Sequence, residues 1–156
     1  MYDFYGFDEL KVGLRIKVKG TPGEGRTFHA LEIAMKESKD QAEVEGVIQA
    51  VDPATRRLRV VNLDFELPGD AVVKDLMKAE IGVADLSVGD IVKVKGDYHP
   101  STGFLPAKVK MKEGMGFSIE EIQGVIDSVD AQNHCFEIVG LTVVVTEKTS
   151  IEGSGG

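Results

Sequence analysis

The sequence predicts an all-β protein made of two copies of one small, strand-rich unit. Residues 10–20 (LKVGLRIKVKG) recur at residues 86–96 as LSVGDIVKVKG. Residues 45–52 (EGVIQAVD) recur at 123–130 as QGVIDSVD. The two copies therefore share one architecture and differ by a small loop insertion.

Alternation of apolar and charged residues predicts the strands. Residues 14–19 (LRIKVK) place three apolar side chains on one face and three cations on the other. Residues 91–95 (IVKVK) repeat the pattern, and residues 107–112 (AKVKMK) and 31–36 (LEIAMK) alternate in the same way. Each copy is thus expected to present strands with a charged outer face.

Each Gly-Val-Ile strand is followed by a predicted hairpin. Asp52-Pro53-Ala54-Thr55 has Pro at the first central position of a type I turn, and Asp130-Ala131-Gln132-Asn133 is the matching turn. The predicted returning strands cover 58–63 and 136–141, and strands at 65–67 and 143–145 complete each meander. The only stretch suited to a helix is Ala71 to Gly82, around Val73, Leu76, Met77 and Ile81.

The order of these elements predicts two OB-like five-stranded barrels. Residues 44–112 contain a meander, a spacer and two further strands, which is one intact unit. Residues 1–43 and 113–156 together supply the same parts in permuted order, so the second barrel is split between the termini. It could close within one chain or with a neighbouring subunit.

These motifs carry a family resemblance. The pattern G-x-I-x-x-V-D, a hairpin, V-x-V, T-x-I, L-x-V-G-D-x-V-x-V-x-G and A-x-x-I resembles a bacterial domain family of unknown function, built of tandem OB-like units and found in secreted or envelope proteins. It covers Gly46 to Lys112. The remaining matches are Gly124-Val125-Ile126, Thr149-Ser150-Ile151, Leu10-Lys11-Val12-Gly13 and Ala30-Leu31-Glu32-Ile33.

The resemblance implies an extracytoplasmic or extracellular location and transfers no active site. Two departures are visible: Leu14 replaces the acidic residue that Asp90 supplies, and Ala71-Val72-Val73 replaces Thr-x-Ile.

Composition indicates a folded, soluble chain. Of its 156 residues, 42% are hydrophobic and 28% charged. No apolar run approaches a membrane span, and residues 1–5 lack the layout of a signal peptide. Cys135 is the single cysteine, so an intrachain disulfide is excluded. The net charge of -8 is concentrated in residues 113–156, which contain eight acidic residues and one lysine, Lys148. This distribution argues against a chain that wraps a polyanion.

A basic strand face is nevertheless a candidate site for single-stranded nucleic acid or another polyanion. The cations that could form it are Arg15, Lys17, Lys19, Arg56, Arg57, Arg59, Lys93, Lys95, Lys108, Lys110 and Lys112. Stacking aromatics are scarce: the candidates are Phe28, Phe65, Tyr98, Phe104 and Phe136, most of them at apolar positions. A charged face that protects strand edges explains the lysines without a ligand, so nucleic acid is the less favoured partner.

The sequence offers little support for the hypothesis of a metal site or of a catalytic site. His134 and Cys135 could supply two ligands of a small metal carrier, but their counterparts are Arg56 and Arg57 on a hairpin, which favours solvated turn residues. Asp52 and Asp130 recur because they begin turns. The sequence therefore predicts no enzyme, no catalytic residue, no cofactor and no metal site.

The favoured hypothesis is a non-enzymatic binding or structural assembly module of the bacterial cell envelope. If the split barrel closes between subunits, strand exchange would join molecules head-to-tail into rings or filaments. The partner is then another copy or another envelope protein. The expected assembly strands contain Leu14, Ile16, Val18, Val143, Val145 and Ile151.

Overall fold

The structure is a computed structural model that describes residue 7 and residues 10–36, 41–99, 101, 103–113 and 119–152. The described chain is all-β, as predicted, with a turn of 3-10 helix at Val83–Asp85 and no α-helix. None of these segments forms a helix long and apolar enough to cross a bilayer. The strands are β1 (Arg15–Pro22), β2 (Thr27–Met35), β3 (Gln41–Asp52), β4 (Arg57–Val60), β5 (Leu63–Glu66), β6 (Val72–Lys74), β7 (Glu80–Ile81), β8 (Ile91–His99), β9 (Gly103–Lys112), β10 (Glu120–Val125), β11 (Ser128–Asp130), β12 (Cys135–Ile138), β13 (Leu141–Val144) and β14 (Ser150–Glu152).

An antiparallel array crosses the middle of the molecule in the order β2-β1-β10-β3-β8-β9. Parallel strands flank it: β13 and β14 pair with β2, and β6 pairs with β9. A separate antiparallel ladder joins β3, β4 and β5. Together the strands form a mixed sheet that is not closed into a barrel, so the predicted pair of OB-like barrels is not confirmed.

The two sequence copies make corresponding ladders. β8 pairs with β3 and β9, and in the other copy β1 pairs with β10 and β2. The parallel pair β6 and β9 likewise corresponds to β14 and β2. Positions 91–98 of β8 and 103–111 of β9 therefore have counterparts 76 residues earlier on β1 and β2 (91 to 15, 108 to 32).

The core follows the predicted alternation. Ile16 and Val18 of β1 and Val92 and Val94 of β8 are fully buried, whereas the lysines between them face outward. The largest fully buried side chains include Phe28 of β2. Because these strands bury one face only, the opposite face of the central array is free to carry charge.

The Asp-initiated turns form as predicted. The N–H of Ala54 donates to Asp52 Oδ1 at 3.1 Å, and the N–H of Asn133 donates to Asp130 Oδ1 at 3.2 Å. The expected strand over 58–63 is instead interrupted by a turn at Val61 and Asn62, whose φ angles are 50° and 65°. A matching turn at residues 139–140 interrupts the strand expected over 136–141.

The helix expected within residues 71–82 is wrong. This segment forms the hairpin of β6 and β7. Asp75 Oδ1 accepts hydrogen bonds from the N–H groups of Met77 and Ala79, both at 2.9 Å, and Lys78 has a φ of 68°. An aspartate that satisfies two turn N–H groups competes with helical hydrogen bonding, and here the turn prevails.

Candidate functional site

Five lysines lie together on the outer surface of β8 and β9. The register of the two strands places Lys93 opposite Lys110, Lys95 opposite Lys108, and Ile91 opposite Lys112. Their side chains line a shared cavity of about 110 Å³, to which no other residue of the described ranges contributes. We call Lys93, Lys95, Lys108, Lys110 and Lys112 the lysine face.

Alternation on two adjacent strands produces this surface. Val92, Val94 and Val109 point into the core and are fully buried, so the residues between them must point outward. Directly opposed side chains in an antiparallel pair lie about 5 Å apart, and like charges there are destabilising. The lysine face is therefore unfavourable for folding unless something compensates its charge.

Compensation within the described chain is small. Glu43 of β3 bridges two of the five ammonium groups, with Oε2 3.7 Å from Lys93 Nζ and Oε1 3.8 Å from Lys95 Nζ. Among the described residues, no ion pair involves Lys108, Lys110 or Lys112. One carboxylate thus compensates the two lysines of β8, and the three lysines of β9 have no ion-pair partner among the described residues.

A further lysine joins the cluster from the β6–β7 hairpin. The ammonium group of Lys78 is the first cause that lowers the pKa of Lys110, followed by desolvation and by the charges of Lys112, Lys108 and Lys93. Proximity of like charges disfavours the protonated form. The lowered pKa reports that these groups lie close enough to repel each other.

The other copy provides an internal comparison. On β1 and β2 the counterparts of Lys93 and Lys95 are Lys17 and Lys19, which lie opposite Ala34 and Glu32. Those positions correspond to Lys110 and Lys108. The cavity there, about 240 Å³, is lined by lysines together with Glu32, Ile33 and Ala34. The same fold can thus be built without the dense cationic strip.

The predicted basic face is divided by the structure. Arg15 is only 2% exposed; its guanidinium donates to the Gln41 carbonyl and, at 3.2 Å, to Gln123 Oε1. Burial lowers the pKa of Arg15, and the charge of Glu43 opposes this. Arg56 donates to the carbonyl oxygens of residues 67 and 68, at 3.1 and 3.0 Å. Arg15 and Arg56 are therefore committed to structural contacts.

Arg57 and Arg59 lie on the meander and pair across the β4–β5 ladder. Arg57 Nη1 is 3.7 Å from Glu66 Oε1, and Arg59 Nη1 is 2.7 Å from Asp64 Oδ2. Exposed pairs of this kind contribute little to stability, but they neutralise the surface locally. Of the predicted set, the lysines of β8 and β9 share one cavity, and Lys17 and Lys19 share another with Glu32.

The aromatic candidates for stacking are mostly in the core. Phe28, Phe65, Phe104 and Phe136 are buried, and Tyr98 is half-buried. Tyr98 hydrogen-bonds Asp127, and burial is the main cause that raises the pKa of both groups. None of these five rings is among the side chains that line the lysine face.

The turn residues His134 and Cys135 have structural surroundings. His134 has a φ of 53°, and its ring meets Phe7 edge-on with centroids 5.2 Å apart. Cys135 is half-buried, and burial, with the charges of Asp130 and Glu137, raises the pKa of its thiol. A raised pKa keeps the thiol protonated and poorly nucleophilic.

The expected assembly strands are packed inside this chain. Ile16, Val18 and Val143 are fully buried and Val145 is nearly so. Leu14 and Ile151 pack against the same core. Pairing of β1 and β2 with β10, β13 and β14 buries them.

Fold and site define an all-β protein with a cationic sheet face. The chain belongs to the family described as "Domain of unknown function (DUF5666)", which matches residues 45–108 and 123–156. The first match contains Lys93, Lys95 and Lys108, and the second begins at the repeated Gly-Val-Ile motif. No curated protein and no solved structure matches the chain.

Proposed function

We propose that this protein is a non-enzymatic binding module whose lysine face receives an anionic partner. The observation that carries the proposal is a cavity that, in the described part of the chain, is lined by five lysines and no acidic residue. Clustered cations raise the local concentration of anions and increase their association rate. An anion seated there would add to the charge compensation that Glu43 provides among the described residues.

The comparison between the copies supports a ligand in place of edge protection alone. The lysine face does not lie on an open edge, because β8 pairs with β3 and β9, and residues 108–110 of β9 also pair with β6. The corresponding β1–β2 surface is built with Lys17, Lys19 and Glu32. The pKa of Lys110 is lowered first by the charge of the neighbouring Lys78, then by desolvation, and then by three other lysines of the lysine face.

We expect the lysine face to recognise its ligand through the ligand's negative charge alone. Sequence-tolerant binding of single strands uses exposed aromatic rings for stacking, and the candidate rings are mostly buried. Phosphate or sulfate groups carried on a polymer or a surface suit the lysine face better than a nucleobase, since ammonium groups act as point charges for such oxyanions.

Calorimetric titration of the full chain with inorganic polyphosphate tests the proposal. Binding should weaken steeply with added salt as counterion release is lost. Lys108→Gln/Lys110→Gln should lower the affinity by a factor on the order of ten or more. The matched pair Lys17→Gln/Lys19→Gln removes equal charge from the other copy and should bind as wild type. Salt-independent binding, or equal loss in both pairs, would exclude the lysine face as the site.

The strand order supports the finer hypothesis of two OB-like units. β3, β4, β5, β8 and β9 follow the order of one unit, and β10 with β11, β12, β13, β1 and β2 follow that of the second. The second unit then takes its last two strands from the N-terminal segment. Head-to-tail strand exchange in the cell envelope remains an alternative use of this split and is tested by solution mass.

A further inference from the structure

An exposed apolar tip adjoins the lysine face. The turn between β6 and β7 carries Leu76, which is 52% exposed, and Met77, which is 88% exposed. Lys78 follows directly, and its charge is the one that most affects Lys110. β6 itself lies parallel to β9, with Lys74 opposite Lys110. The apolar tip thus lies next to the cationic surface and is connected to it through Lys74 and Lys78.

The turn holds these apolar side chains outward. The carboxylate of Asp75 accepts from two N–H groups of the turn, and the N–H of Asp75 donates to the carbonyl of Ala79 at 2.9 Å. The N–H of Lys78 donates to the Asp75 carbonyl at 3.0 Å. A tip with its backbone tied in this way cannot fold back to bury Leu76 and Met77 without losing those bonds.

We propose that the lysine face and the Leu76–Met77 tip together dock on a bilayer of anionic phospholipid. The inference rests on the proposed anion-binding function and names its partner. The lysines would meet the phosphate headgroups, and the two apolar side chains would enter the boundary between headgroups and acyl chains.

Charge complementarity and the nature of the tip favour this occupant. A stable surface anchor combines two signals, a basic patch and an apolar insertion, because either alone binds weakly. A soluble polyanion would satisfy the lysines and leave Met77 in water. Methionine and leucine beside a row of lysines match the layered chemistry of a membrane surface, in which negative charge overlies hydrocarbon.

Co-sedimentation of the full chain with vesicles tests the inference. Vesicles of phosphatidylcholine and phosphatidylglycerol in equal parts are compared with phosphatidylcholine alone, and polyphosphate titration is run on the same proteins. Wild type should sediment with the anionic vesicles only. Leu76→Ser/Met77→Ser should lower vesicle affinity on the order of tenfold and leave polyphosphate affinity unchanged. Lys108→Gln/Lys110→Gln should lower both.

Two controls separate insertion from a folding defect. Met77→Ser alone changes the more exposed of the two residues and should lower vesicle affinity by less than the double substitution does. Val12→Ser removes a valine that is 65% exposed in the other copy and should bind as wild type. If the tip variants bind vesicles like wild type, or if wild type binds polyphosphate but not vesicles, the bilayer inference is overturned and the anion-binding function stands. Absence of binding to both overturns both.

Discussion

Val44 of β3 and Ile122 of β10 lie directly opposite each other, and they occupy equivalent positions in the two copies. On either side, Glu43 lies opposite Gln123 and Glu45 lies opposite Glu121. These two pairs exchange roles when the copies are exchanged. The ladder is therefore self-complementary, as in an interface between identical subunits related by a two-fold axis.

This pair predicts that the two copies unfold together. Ile122 is fully buried where both copies meet, so Ile122→Ala should lower the free energy of unfolding by about 2–5 kcal/mol. Urea denaturation followed by far-UV circular dichroism and by tyrosine fluorescence should give one coincident transition. Ile119→Ala, at a residue 42% exposed, is the control and should change stability by no more than about 0.5 kcal/mol. Two separated transitions would contradict the coupling.

Gly96, which follows Lys95 within β8 and recurs as Gly20 in β1, predicts a second effect. A Cβ on Gly96 would lie 2.1 Å from the Leu105 carbonyl oxygen and 2.6 Å from Pro106 Cα. Both contacts are backbone, at a shift in the β8–β9 register, so neither can move aside cheaply. Gly96→Ala should destabilise the protein by about 1–3 kcal/mol or more. Gly69→Ala meets nothing within 4 Å and should be near neutral in the same thermal melts.

Local patterns in the sequence predict the strands, the Asp turns and the outward lysines, because alternation and turn chemistry act over a few residues. Pairing between distant strands leaves no such signal. The register that brings Glu43 of β3 beside Lys93 and Lys95 joins segments 50 residues apart, and sequence reasoning missed Glu43. Lys78 was missed because its segment has helical spacing. Arg15 belongs to the outward set by alternation, yet it is buried where its guanidinium donates to Gln41 and Gln123.

Because the lysines of the lysine face repel one another, replacing one of them with a neutral residue should stabilise the folded protein. Because the pKa of Lys110 is lowered in the folded state, folding disfavours its proton, and stability rises with pH through the window just below the ordinary lysine value. Lys110→Gln should therefore raise the melting temperature at neutral pH and low salt, and the gain should shrink as salt is added. Lys148→Gln, in the acidic third of the chain, is the charge-matched control. A salt-independent gain would point to a cause other than repulsion.

Glu120 predicts a pH dependence of opposite sign. Burial raises the pKa of its carboxyl, and the hydrogen bond that it accepts from the Val47 N–H, at 3.3 Å, opposes the shift. The folded state therefore holds this proton more tightly than the unfolded state, and stability falls as the pH rises above the ordinary glutamate value of about 4.3. Glu120→Gln keeps an acceptor for Val47 and cannot ionise. It should be more stable than wild type at neutral pH and equal to it in acid.

Urea denaturation across that pH range measures the effect, with Glu147→Gln as control for the loss of one exposed negative charge. A parallel pH profile for Glu120→Gln and wild type would contradict the assignment of this carboxyl.

Pairing of the N-terminal strands β1 and β2 within the same chain predicts a monomer. β1 lies between β10 and β2, and β2 also pairs with β13 and β14, so the N-terminal segment already satisfies its ladders within one chain. Only residues 36–40 connect β2 to β3, which keeps the local concentration of the N-terminal strands high. Light scattering after size exclusion, over a series of protein concentrations, should give the mass of one chain throughout. In head-to-tail strand exchange, each molecule would replace an internal strand contact with the equivalent contact to a neighbour. The measured mass would then be a multiple of the mass of one chain and would grow with protein concentration. Electron microscopy of the same fractions would show rings or fibres.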